Sequence, residues 1–150
     1  MTRTWKRAAA GVGLAVLGLV GTGMAFHHGL TGAHRPDDRE FGLGPRRSAG
    51  GRYVASLQAA RPIELRKLLT MRIVLTDSTG GPVDGATLAV DGGMPEHRHG
   101  LPTRPRVTRP LGQGTYQVDG VKFNMGGWWV LTFRVDAGAA RDSVTFNLDL

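Results

Sequence analysis

The chain contains no cysteine. That absence excludes disulfide bonds, thiol catalysis and cysteine-type zinc sites together. Aromatic residues are also sparse, and the arginines are scattered, with few rings between them and no basic helix. A formal net charge of +7 therefore gives little support to nucleic-acid binding. There is no phosphate-cradling loop, no cluster of carboxylates and no convergent nucleophile–base pair. Asp77, Asp84 and Asp91 fall at expected strand ends and turns, where aspartate is ordinary. An enzyme is thus the least supported class. No internal repeat is present. Without disulfides the domain must be held by its core, and about 100 residues suffice for one.

The amino terminus has its own composition. Met1–Arg7 carries Arg3, Lys6 and Arg7 and no acid, and residues 8–26 then run without a charge. A basic stub before an apolar run is the pattern of an export signal, because the basic residues stay on the cytoplasmic side. Gly23-Met24-Ala25 supplies small residues for cleavage after Ala25. The same run is long enough, at roughly 1.5 Å per residue, to span the hydrocarbon core uncleaved, although five glycines weaken it as a permanent span. Signal peptide and membrane anchor both remain open for residues 1–26. Either way the expectation is an extracytoplasmic address, in the periplasm or cell envelope, with the membrane reached through this segment. Removing residues 1–25 deletes three cations and no acid, which takes the charge from +7 to +4.

Residues 27–50 are rich in glycine, proline, arginine and acid without an apolar period, and read as a flexible spacer. From residue 51 the period changes to two. Trp129, Leu131, Phe133 and Val135 alternate with polar or smaller neighbours, and so do Val144, Phe146, Leu148 and Leu150. Such alternation marks strands half-buried against a core. Turn signals intervene at residues 77–82, Gly92-Gly93, 111–114 and 136–138. About seven strands are expected, near 52–58, 69–76, 86–91, 105–109, 115–120, 128–135 and 142–149. The fold class is all-β, an antiparallel immunoglobulin-like β-sandwich over residues 51–150, preceded by the amino-terminal signal or transmembrane helix. Only residues 62–69 offer a helical turn.

One segment concentrates ligand chemistry: Met94-Pro95-Glu96-His97-Arg98-His99-Gly100-Leu101-Pro102. His97 and His99 are two apart, so in an extended chain both imidazoles project to one side. Two neutral imidazoles form half of a site for a late first-row metal, and the soft thioether of Met94 leans the choice towards copper. A further ligand must come from elsewhere; Met125 is the best placed and Glu96 is another. The bland readings stand beside this one. An H-x-H pair is equally compatible with surface polar residues, Arg98 adds a charge that disfavours a cation, and Met125 suits a core. In the tandem pair, Trp129 is in phase with the core and Trp128 is the ring expected to cover the loop. The competing function is a docking module, in which this loop, with Glu96 and Trp128, forms the interaction surface.

GGMPEHRHGLPTRPRV together with GQGTYQVDGVKFNMGGWWVLTFRV resembles the FixH/YtkA-like family of exported or membrane-anchored bacterial domains, over about residues 60–150. The resemblance implies an immunoglobulin-like sandwich, one amino-terminal membrane segment or signal, and an envelope location. It also implies copper handling, since FixH is associated with a copper-transporting pump and with assembly of a haem–copper oxidase. The partners it implies are an envelope redox protein or copper pump. The positions matching the family's motifs are Met94, His97, His99 and Met125.

Overall fold

The computed structural model describes residues 34–138 and 140–150. The leader expected over residues 1–26, and the first part of the spacer, lie outside the described residues. Among the described residues no helix is long and apolar enough to cross a membrane.

Nine strands are described: β1 (Arg46–Arg47), β2 (Tyr53–Ala59), β3 (Leu69–Asp77), β4 (Thr87–Met94), β5 (His99–Gly100), β6 (Arg106–Gly112), β7 (Thr115–Val121), β8 (Trp128–Ala137) and β9 (Ala140–Asp149). They form two sheets, ordered β1-β2-β3-β7-β6 and β5-β4-β8-β9, and every strand pairing is antiparallel. The seven long strands fall where the period-two pattern puts them. β1 and β5 are additions of two residues each, too short to leave a period. No helix forms over residues 62–69; the 3-10 turns are at Asp38–Glu40 and Pro95–His97.

The pleat explains the core. Trp129, Leu131, Phe133 and Val135 of β8 face Met71, Ile73 and Leu75 of β3 across the sandwich, and all are buried. β9 adds Val144, Phe146 and Leu148, with Phe146 edge-on to Phe133 at 6.0 Å between centroids. Gly92 and Gly93, expected to mark a turn, instead continue β4. A Cβ on Gly92 would stand 2.2 Å from the Val130 carbonyl oxygen, and one on Gly93 would stand 2.3 Å from that of His99. These glycines let neighbouring backbones approach, which is a second meaning of glycine in a strand.

The expectation of a spacer up to residue 50 also needs correction. Phe41 forms a parallel bridge with Asn147, the Gly42 amide donates to the Asn147 carbonyl at 2.8 Å, and the Ala49 amide donates to that of Ser143 at 2.8 Å. Residues 41–50 therefore cover the free edge of β9, and β1 extends the other sheet. An edge strand left bare would be a template for aggregation.

Asp142 fastens this wrap. Its carboxylate accepts from the Ser48 hydroxyl at 2.7 Å, the Gly50 amide at 2.8 Å, the Ser143 amide at 2.8 Å and the Arg52 amide at 3.4 Å. Burial pushes this carboxyl up, but those donors together outweigh it and hold the group below its ordinary 3.8. A depressed folded value means stabilisation that is present above the unfolded value and lost as pH falls through the folded one. Asp142→Asn is expected to cost about 1 to 2 kcal/mol at neutral pH. In urea unfolding, the difference from wild type should shrink once the pH drops below 3.8.

Candidate functional site

Antiparallel pairing brings three loops to one end of the sandwich. Ala59 and Leu69 bound the β2–β3 loop, and Leu69 pairs with Val121 at the end of β7. The chain then crosses sheets through residues 122–127 to reach Trp128. Met94 at the end of β4 pairs with His99 of β5, so the H-x-H segment closes the same end.

The imidazoles do converge, but not through an extended chain. Pro95–His97 form a 3-10 turn with proline opening it, and Arg98 then takes a left-handed conformation at φ 54°. That reversal returns the backbone to pair with β4 and stacks the two rings, with centroids 5.9 Å apart and planes inclined by 29°. Both histidines are exposed, as is Arg98. His99 Nδ1 lies 3.0 Å from the Gly100 carbonyl oxygen. An oxygen of this kind only accepts, so a hydrogen bond here takes its proton from Nδ1, and the tautomer that fits it has its lone pair on Nε2.

Beneath the pair lies Trp129, whose ring meets His99 edge-on at 5.7 Å. Phe123 packs on it in the same way at 5.2 Å, and its indole nitrogen donates to the Met125 carbonyl oxygen at 2.9 Å. One buried indole thus sets the β7–β8 loop against the histidine loop. The sequence reading placed Trp129 in the core, where it is, but gave the loop-covering role to Trp128. Trp128 is 3% exposed and donates to Asn147 Oδ1 at 3.0 Å, while Asn147 Nδ2 reaches the Glu40 carbonyl at 3.4 Å. The expectation of Trp128 as part of an exposed interaction surface fails for that reason: it is sealed on the outer face of its sheet, beside the wrapped segment.

The methionines part company. Met94 is fully buried, and its methyl lies 3.0 Å from where a Cβ on Gly127 would stand, at a glycine with φ +114°. Met125 is 42% exposed on the loop that Trp129 anchors. Glu96 is half-exposed and sits 3.8 Å from Arg35, which also pairs with Asp149 at 2.7 Å and covers the Phe41 ring at 4.9 Å. Arg35 is a partner that the sequence gave no reason to select, because nothing local links it to residues 96 and 149. Among the described residues no three His, Cys, Asp or Glu side chains converge.

Fold and site together define a class: a small two-sheet β-sandwich that presents a stacked His-x-His pair at one end, over a buried tryptophan. The chain belongs to the YtkA-like family, whose profile matches residues 52–134. No curated protein and no solved structure matches it.

Proposed function

We propose that this is a non-catalytic envelope protein that binds or delivers copper, with His97 and His99 as its primary ligands. The observation that carries the reading is the stacked pair itself, with His99 Nδ1 committed to the Gly100 carbonyl. A ligating imidazole usually donates its other nitrogen in this way, which fixes the tautomer and ring orientation and leaves Nε2 for the metal. Met125 is the accessible thioether, whereas Met94 is fully buried. A soft sulfur beside imidazoles favours copper. The order β2-β3-β7-β6 facing β4-β8-β9 matches the A-B-E-D and C-F-G strands of a constant-type immunoglobulin domain, which supports the immunoglobulin-like reading of the sandwich. The uncharged run of residues 8–26 supports export with or without retention as an anchor.

Titration of the full chain in detergent with copper is expected to show one equivalent bound at micromolar concentration, with quenching of the indole emission because His99 touches Trp129. His97→Ala combined with His99→Ala should abolish uptake while shifting stability by no more than about 0.5 kcal/mol, since both side chains are exposed. A wild-type chain that takes up no copper ends this reading and leaves the loop as a docking element for a membrane or redox enzyme.

A further inference from the structure

The end of the sandwich that carries the imidazoles has a second chemical character. Among the described residues four large apolar side chains are exposed, and three of them, Leu65, Leu68 and Met125, lie at this end; the fourth, Leu111, is on the β6–β7 hairpin at the other. Leu68 is the most exposed at 59%, and a groove of about 470 Å³ opens beside it between Ala60, Arg61 and Leu69. The β2–β3 loop is held in place rather than loose: the Arg66 amide donates to the Phe123 carbonyl at 2.6 Å and the Arg61 guanidinium donates to the Leu68 carbonyl at 2.7 Å.

The loops of this end are basic in composition. The three loops of this end, residues 60–68, 95–105 and 122–127, contain Arg61, Arg66, Lys67, Arg98, Arg104 and Lys122 against only Glu64 and Glu96. Glu64 pairs with Lys67 at 2.6 Å, and Glu96 and Asp149, the latter also at this end, pair with Arg35 at 3.8 and 2.7 Å. Arg35 lies near this end as well. Its contacts with Glu96 and Asp149 bring residue 35 to this same end, and the uncharged run of residues 8–26 precedes it in sequence.

We propose that this end of the sandwich rests on an anionic lipid surface, with Leu65 and Leu68 entering the headgroup boundary and the cations of these loops meeting lipid phosphates. Exposed leucines on loops rich in basic side chains are what such a surface attracts. The imidazole pair then faces the bilayer. The inference rests on the envelope location in the functional reading and not on copper binding.

The test is hydrogen exchange of the full chain reconstituted into vesicles of phosphatidylcholine, with and without phosphatidylglycerol. Amides of residues 63–68 are expected to exchange about tenfold more slowly on the anionic vesicles, with the 111–114 hairpin unchanged and the effect reduced at about 0.5 M salt. Leu65→Ser with Leu68→Ser should return the rate to that on neutral vesicles. Equal exchange on both vesicle types would overturn the proposal. So would slowing that follows protein concentration and ignores lipid charge, which would instead indicate contact between copies. Flotation with neutral vesicles reports on the amino-terminal segment alone, and copper titration on the histidines alone, so failure of either reading is told apart from failure of this one.

Discussion

Trp129→Ala is expected to destabilise the domain by about 4 kcal/mol, the upper range for removing a buried ring. The side chain is completely buried, it supports Phe123 and His99 through edge contacts, and its loss leaves the Met125 carbonyl without its donor. Against a total stability of typically 5–15 kcal/mol this is a large fraction, and urea unfolding reads it directly. Trp129→Phe separates the two contributions. It keeps one aromatic ring in the core and removes the indole donor together with part of the ring volume, for an expected cost of about 1 to 3 kcal/mol. Both variants should weaken the proposed copper binding in the folded protein, because the indole is what sets the β7–β8 loop against the histidines. Undiminished affinity in Trp129→Phe would mean that Met125 contributes nothing to the site.

Gly93→Ala is expected to cost about 3 kcal/mol and to disable the site even under conditions where the domain stays folded. The added methyl would meet the His99 carbonyl oxygen at 2.3 Å and the Gly100 Cα at 2.9 Å. Both are backbone atoms, so no flexible side chain can yield. Relief requires β5 to move away from β4, and β5 is what carries His99 back over Trp129. Gly100→Ala is the matched control. Its Cβ would meet nothing closer than the Gly92 carbonyl oxygen at 3.6 Å, an ordinary contact, so stability and copper binding should both stay near wild type. If the two variants behave alike, close backbone approach at Gly93 is not what shapes the histidine loop.

The site combines parts that differ in how they are held. Phe123 and Trp129 form a buried base built from the β7–β8 connection and the start of β8. The histidines ride above it on a two-residue strand and a single 3-10 turn. This arrangement fixes where the rings are while leaving both of them open to solvent, which suits a group that must accept and release a metal or meet a partner. The loops of this end carry six cations against two acids, so a lipid or an anionic partner would be drawn to the same end.

The sequence alone determined the strands and their faces. Period-two alternation is a local property, so Trp129, Leu131, Phe133 and Val135 declared one buried row, and Val144, Phe146 and Leu148 another, before any partner strand was known. The two histidines were legible as ligand-type residues, but their convergence comes from a 3-10 turn and a left-handed Arg98 and not from strand alternation. What only the tertiary structure decided depends on contacts between residues far apart in the chain. Gly92-Gly93 looks like a turn in one dimension, and is a strand crowded by the backbones of β8 and β5 in three. Residues 41–50 have no apolar period, yet they cover β9 because Asp142 and Asn147 supply the partners their backbone lacks. The same wrap seals Trp128 and leaves Trp129 to carry the histidines. Adjacent tryptophans on a strand must point to opposite faces; which face meets the imidazoles is set by the loop that folds back over it, and no residue next to them in sequence encodes that.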